Sequence, residues 1–348
     1  LERIETMKNR LVGFLPKFRD CRVAVLGDLM LDAYVWGRAS RLSQEAPVPV
    51  VRAERDSTAP GGAANVVRNL VSLGAKALAF GLVGDDSAGH ELLSALEASG
   101  ADTSGVVVYG DRPTTVKTRV LAGNQQVVRI DREVTDPIPP DLRDQIAERL
   151  KIAIKDGRVD AVILEDYAKG VLTKEMVEDV VDTCREAGVF VTLDPHASNR
   201  FEVPGLRLMT PNRSEAFALA GMYYQSGTFP LADDASLLAV GRQLRQTWGT
   251  ELLLVTLGSK GMALFADDGV PVHIPTQAVE VFDVSGAGDT VMAVFVLALA
   301  SGASPTDAAC LANSAAGVVV AEVGTAAVSP DELRHALLEL HNYPTELA

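Results

Sequence analysis

Asp283-Val-Ser-Gly-Ala-Gly-Asp289-Thr290 runs directly into Val291-Met-Ala-Val-Phe-Val-Leu-Ala-Leu-Ala300. The apolar run is too short to span a membrane and long enough for a buried helix. A glycine-rich turn feeding such a helix leaves its first amide N–H groups without intrahelical partners. The amides of Gly286, Ala287 and Gly288 then add to the positive end of the helix dipole and form an anion site. Asp289 falls in the first turn, beside that anion, where a carboxylate can serve as base toward a hydroxyl. The same residues also describe a simple capped helix start, with Ser285 or Asp283 as N-cap and glycines for the tight turn. The rest of the chain decides between the two.

A chain of 348 residues can form one large α/β domain or two smaller ones around a substantial core. The apolar fraction of 47% is that of a globular protein, and the net charge of −14 argues against nucleic acid or an anionic membrane as partner. Cys21, Cys184 and Cys310 are far apart, with no CxxC or Cys/His spacing, so neither a zinc site nor a disulfide framework is indicated. Residues 1–19 read as an amphipathic surface helix and carry no signal-peptide pattern. Without a membrane-spanning run, the cytoplasm is the expected location.

Arg22-Val-Ala-Val-Leu-Gly27 reads as a buried parallel strand that delivers Asp28 and Asp32 to its C-terminal edge, where open α/β sheets bind ligands. Asp28 is read as a turn cap, and Asp32 as a possible acceptor for sugar hydroxyls. Pro47 and Pro49 confine the following segment to an edge strand or an irregular ribbon. Pro60-Gly-Gly-Ala-Ala-Asn65 then opens a helix, and its glycines allow backbone to approach a ligand. Asn65 both donates and accepts, as a polyol requires. After the buried strand Ala77-Leu-Ala-Phe-Gly-Leu-Val83, residues 106–109, 114–121 and 126–131 alternate at period two. They read as half-exposed antiparallel strands, with a turn at Ala122-Gly-Asn124. With residues 34–56 they are expected to form a small sheet inserted into a larger body. Lys117, Arg119 and Arg129 lie on it, either as solvated edge charges or as anion ligands.

Downstream, strand and helix alternate. Asp160-Ala-Val-Ile-Leu-Glu-Asp166 and Val189-Phe-Val-Thr-Leu-Asp194-Pro195 end in acids. Asn212-Arg-Ser-Glu215 opens a helix at capping-box spacing; the same pair could hold a hydrated Mg²⁺ through one carboxylate. Met262-Ala-Leu-Phe265 and Val270-Pro-Val-His-Ile274 read as a hairpin around Asp267-Asp-Gly269. The pattern predicts a three-layer α/β fold with a mostly parallel central sheet and a small inserted β-sheet lid.

Gly61-Gly-Ala-Ala-Asn65 and Asp283-Val-Ser-Gly-Ala-Gly-Asp289, in that order, resemble the two signatures of the ribokinase-like (PfkB) sugar kinases over residues 20 to 335. Within that family, Gly27-Asp-Leu-Met-Leu-Asp-Ala-Tyr34, Ser40-Arg-Leu-Ser-Gln-Glu-Ala-Pro-Val-Pro-Val50 and Asp166-Tyr-Ala-Lys-Gly170 are similar to the D-glycero-D-manno-heptose 7-phosphate kinases of lipopolysaccharide synthesis. The departures are Ser285 for threonine, His196 for lysine, and Glu165 for a small residue.

The resemblance implies a single kinase domain over 20–340, ATP and Mg²⁺ as cofactors, and phosphorylation of the heptose phosphate at O1. It implies Asp289 as base and the Gly286, Ala287 and Gly288 amides as anion hole. Asp32, Gly61, Gly62, Asn65 and Asp166 would hold sugar hydroxyls. Lys117, Arg119, Arg129, Arg41 and Lys169 are candidates for the 7-phosphate. Asn212, Glu215, Thr256, Gly258, Gly261 and Asn313 would bind nucleotide, with Glu215 orienting a water on Mg²⁺. A monovalent cation such as K⁺ would sit near Asp283, Ser285 and Gly324. The resemblance also implies a homodimer formed through the lid, and the absence of a His-x-Gly-His motif suggests a stand-alone kinase. Kinases for ribose, fructose or fructose 6-phosphate, and a non-catalytic sugar sensor, are the same-fold alternatives. A dinucleotide-dependent dehydrogenase is disfavoured because the first strand ends Gly27-Asp-Leu-Met30, without a GxGxxG turn.

Overall fold

The computed structural model describes residues 2–123, 125–266, 269–277, 281–322 and 324–347. The expected turn at Asn124 and the tip of the hairpin at Asp267-Asp268 lie outside the described residues. Helix α1 (Glu2–Val12) is shorter than the helix expected over 1–19. Gly13 and Pro16 interrupt it, and Leu15–Asp20 continues as a 3-10 turn.

The body follows as β1 (Arg22–Gly27), then the long strands β2 (Leu29–Leu42) and β3 (Pro49–Gly62), α2 (Ala63–Ser72), β4 (Lys76–Gly84), α3 (Ser87–Ser99) and β5 (Asp102–Tyr109). Next come β6 (Thr115–Ala122), β7 (Gln125–Arg132), α4 (Pro140–Lys155), β8 (Ala161–Glu165), α5 (Lys174–Ala187), β9 (Phe190–Asp194), β10 (Leu208–Met209) and α6 (Arg213–Leu219). The chain ends with α7 (Ala235–Trp248), β11 (Leu252–Thr256), β12 (Met262–Ala266), β13 (Val272–Ile274), α8 (Ala287–Ala300), α9 (Pro305–Val319), α10 (Pro330–Leu338) and β14 (Thr345–Glu346).

Ten strands form one sheet in the order β14-β13-β12-β11-β10-β9-β8-β1-β4-β5. Pairing is parallel from β5 to β11 and antiparallel beyond. Side-chain alternation divides β1 between two cores: Val23 and Val25 pack on one face with α2 and α8, Ala24 and Leu26 on the other with α4 and α5. A strand buried on both faces is therefore apolar from Val23 to Gly27, as read from the sequence. The result is the expected three-layer fold.

The second sheet has the order β3-β2-β6-β7. β3, with its prolines, is an edge as expected, but two other expectations change. Residues 106–109 belong to β5, which pairs parallel with β4 in the large sheet. The intervening α3 makes β4-α3-β5 a crossover unit, and such a connection joins parallel neighbours. Secondly, β6 pairs parallel with β2 and antiparallel only with β7. The small sheet is thus made of residues 29–62 and 115–132, wider in its first part and narrower in its second than the expected 34–56 and 106–131.

Candidate active site

Gly286 stands in the left-handed region, φ 78°, and turns the chain into α8. A Cβ there would lie 2.6 Å from the Asn65 side-chain nitrogen, so close approach and backbone sign both require glycine. From Asp289 to Ala298 every residue of α8 is buried, which fixes the helix in the core and its first turn at the sheet's C-terminal edge. The Ala287 amide is used within the turn, donating to the Val284 carbonyl at 3.2 Å, so it is less free than expected. The Gly286 and Gly288 amides meet no acceptor among the described residues.

Asp289 is buried and accepts two hydrogen bonds. Asn65, from the first turn of α2, donates its amide at 2.7 Å, and the Tyr167 hydroxyl donates to the other oxygen. The helix dipole is not the only influence on its charge. Burial pushes the Asp289 pKa up, while Tyr167 and then Asn65 pull it down by stabilising the anion. Asn65, expected on sugar hydroxyls, thus has its amide nitrogen committed to the acid.

Tyr167 was missed by sequence reasoning, although it sits inside Asp166-Tyr-Ala-Lys-Gly170. Its turn is organised by Asp28, whose buried carboxylate accepts the amides of Tyr167 at 2.9 Å, Lys169 at 3.0 Å and Val171 at 3.2 Å. Asp28 is a turn cap, as read. Asp166 accepts from the Asn199 amide at 2.9 and 3.0 Å and from the Ala168 N–H at 2.8 Å. Burial raises its pKa to about 6, with those hydrogen bonds opposing.

Asp32, on β2, faces Gly61 so closely that a Cβ there would come 2.7 Å from a carboxylate oxygen. Gly62, at φ 54°, would strike Met30 and the Asp28 carbonyl. Asp32 is paired with Arg119 at 2.6 Å. The other candidate cations are also accounted for: Lys169 binds Glu133 at 2.8 Å, and Arg129 binds Asp131 on exposed β7 at 2.9 Å. Arg41 is exposed near the end of β2. Lys117 differs. Its ammonium lies 5.6 Å from the centre of the Tyr167 ring, with no carboxylate in salt-bridge range among the described residues. Burial, then Lys169, lower its pKa.

On the other side, Asn212 caps α6 and forms the full capping box with Glu215: the Glu215 N–H donates to Asn212 at 3.0 Å and the Asn212 N–H to Glu215 Oε2 at 2.8 Å. Oε1 stays available, so Glu215 fits one water on a magnesium ion as well as the cap. Thr256 bridges to Asn212, placing both at the same sheet edge. Gly258 is open to solvent above its position, whereas Gly261 packs so tightly on the Ile274 carbonyl that no Cβ fits. Asn313 is buried and donates to the Pro275 carbonyl at 2.7 Å. Asp283 accepts the Ser285 N–H at 2.9 Å and the Gly324 N–H at 3.1 Å, so these three expected cation-site residues converge.

Between the two sides lies Asp194, half-buried at the end of β9 and accepting from Thr210 at 2.8 Å. Its other oxygen is 4.0 Å from where a Gly288 Cβ would be. An aspartate ending one strand among several gave no sequence signal that set it apart.

An acid held by two donors at a helix start with free amides, between a cationic niche and a capped helix edge, is an arrangement for moving a phosphoryl group onto a hydroxyl. The profile of the "pfkB family carbohydrate kinase" matches residues 21–332, and the chain belongs to that family of ATP-dependent carbohydrate kinases. More narrowly, it is 46% identical over 315 residues to the bifunctional protein HldE of Geobacter metallireducens, covering 90% of this chain and 62% of that protein. HldE of Desulfatibacillum aliphaticivorans is 44% identical over 321 residues, 92% of this chain and 64% of its own length. The chain therefore spans less than two thirds of these relatives. Among solved structures, Arabidopsis thaliana ribokinase complexed with ribose and ATP has a TM-score of 0.69 at 22% identity, covering 91% of this chain and 98% of that one. Escherichia coli phosphofructokinase-2 in complex with potassium has a TM-score of 0.73 at 18% identity, with the same coverage of 91% and 98%. These two likenesses show the fold.

Proposed function

We propose that the chain transfers the γ-phosphoryl group of ATP to O1 of D-glycero-D-manno-heptose 7-phosphate, giving the 1,7-bisphosphate (the β-anomer) for lipopolysaccharide core synthesis in the cytoplasm. The observation that carries a phosphorylated sugar is Lys117. Among Lys117, Arg119, Arg129 and Lys169 it alone lacks a carboxylate partner, and a half-buried ammonium in that condition awaits an anion. The heptose-kinase motifs and the HldE relatives support the sugar.

Asp289 takes the O1 proton as the bond to phosphorus forms. Asn65 and Tyr167 hold both of its oxygens, so the acceptor geometry exists before substrate arrives. The Gly286 and Gly288 amides face the charge on the transferring group. Asp32 and the Gly61-Gly62 turn line the sugar side, with Asp166 at its floor. Asn212, Thr256, Gly258, Gly261 and Asn313 form the nucleotide side. Glu215 would hold magnesium through a water, and the ion would supply charge neutralisation at the nucleotide phosphates. Asp283, Ser285 and Gly324 accommodate a monovalent cation.

The small sheet acts as lid over a single kinase domain. Tyr34 on β2 accepts the Thr325 N–H at 3.1 Å, which ties lid to body. Val127, Val128 and Ile130 on β7 are exposed, and they support a homodimer formed through this sheet.

Coupled ADP release with heptose 7-phosphate, fructose 6-phosphate and ribose tests the assignment. Turnover should be greatest with the heptose phosphate; equal turnover of all three sinks it. Light scattering at micromolar concentration tests the dimer, and a monomer mass removes it.

A further inference from the structure

Asn65, Arg68 and Asn69 share one face of α2, at i, i+3 and i+4 spacing. Asn65 donates to Asp289 at 2.7 Å, and Asn69 accepts from the Thr290 hydroxyl at 3.2 Å. Arg68, between them, reaches the loop after α9, where its Nη2 donates to the Thr325 carbonyl at 2.8 Å. The side chain is half-buried, its Nε is enclosed without an acceptor, and it makes no hydrogen bond to a carboxylate among the described residues. A guanidinium stays charged under these conditions, so an anion close by must offset the cost of its desolvation.

The corner it occupies identifies that anion. A Cβ on Gly286 would lie 2.6 Å from the Asn65 nitrogen, 3.3 Å from the Thr325 methyl and 3.7 Å from an Asp289 oxygen. The loop that Arg68 binds therefore packs on the turn that carries the base. Tyr34 of β2 fixes the same loop from the other side, accepting the Thr325 N–H at 3.1 Å. Burial lowers the Arg68 pKa, and Asp289 opposes that most. Burial raises the Asp289 pKa, the Tyr167 and Asn65 hydrogen bonds oppose it, and Arg68 adds its positive charge to theirs. The acids act the other way: Asp32 on β2 raises the Asp289 pKa, and Glu165 ending β8 and Asp194 ending β9 share its field.

We propose that Arg68 is a positioning residue: bonded to Thr325 beside the Gly286 turn, it supplies the positive charge that keeps Asp289 an anion, ready to accept the sugar proton. The proposal rests on Asp289 being the base. No bond forms or breaks at Arg68 itself.

The test is kcat and KM of the whole chain from about pH 5 to about pH 9, with ATP, Mg²⁺ and whichever of the three sugars turns over fastest. Removing the charge raises the Asp289 pKa, so Arg68→Gln should move the acid limb of kcat/KM to higher pH. On that limb the rate should fall by on the order of tenfold, with a smaller loss on the high-pH plateau. Arg68→Lys, which keeps the charge, should bring the limb back toward wild type. Arg68→Met gives the same comparison if the glutamine variant does not fold. A limb that coincides with wild type in the uncharged variants overturns the proposal, as does a lysine variant displaced as far as the glutamine one. An equal loss at every pH marks a structural clamp alone, and a raised sugar KM as the main effect marks a substrate ligand; either result overturns it too. Asp289→Asn, assayed alongside, separates the two failures: undiminished turnover there removes the base itself.

Discussion

The side-chain amide of Asn65 donates to the carboxylate of Asp289 at 2.7 Å, across 224 residues of chain. The two signature stretches are thus one hydrogen-bonded unit. Removing the base itself is the first expectation. Asp289→Asn should lower kcat by about 10²–10⁴-fold, the usual contribution of a general base, with sugar and nucleotide still bound. Undiminished turnover in the coupled assay would rule out Asp289 as base.

The donors should act through pH. Tyr167 and Asn65 each stabilise the charged form of Asp289, against burial. Asn65→Ala or Tyr167→Phe therefore raises the Asp289 pKa, and the acid limb of kcat/KM should move to higher pH. Tyr167→Phe keeps the ring beneath Lys117, so its KM for the sugar phosphate should change little. A pH profile superimposable on wild type in both variants rejects this role.

Lys117→Gln removes the half-buried candidate cation that has no carboxylate partner among the described residues. A charge-assisted hydrogen bond contributes about 1.5–3 kcal/mol, so kcat/KM for the phosphorylated sugar should fall roughly 10- to 100-fold. Arg129→Gln, which breaks a pair on exposed β7, should shift it only slightly. Steady-state kinetics of the two variants side by side decide between them.

Gly286→Ala places a methyl group 2.6 Å from the Asn65 nitrogen at φ 78°. Clash and backbone sign together should lower stability by about 1–3 kcal/mol, measured by urea unfolding. Activity should fall further than stability does, because Asn65 must move off Asp289.

Glu165 gives a stability test independent of ligand. Its folded pKa is raised by burial, then by Asp194, so the folded state favours the proton. The stability from that neutral acid is fully present below the ordinary glutamate value of 4.5 and is lost as pH rises toward the folded value. Glu165→Gln, which cannot ionise, should therefore gain relative to wild type as pH is raised from 4.5. A constant difference in unfolding free energy across pH would contradict it.

Local chemistry explains which features could be read from sequence. The Asn212–Glu215 capping box and the left-handed turn at Gly286 depend on neighbours in the chain, and the residue types declare them. Period-two alternation in residues 106–109 shows that a strand is half-buried, but not which sheet buries it. Only α3 between β4 and β5 decides that. The pairing of Arg119 with Asp32 and of Lys169 with Glu133 joins residues 87 and 36 positions apart, so composition could offer five equivalent cations and not single out Lys117. Tyr167 was hidden for the same reason: an interior tyrosine is ordinary core material until its hydroxyl meets a distant acid.

Asp28 collects three amides of the turn that carries Tyr167, and so fixes where that hydroxyl can point. A residue that touches no substrate thereby sets the orientation of the donor on the base. In a saturation mutagenesis screen scored by growth, Asp28 should be as intolerant as Asp289, including toward asparagine. Such a profile would report a lost foundation under the turn, not lost chemistry at the phosphoryl group.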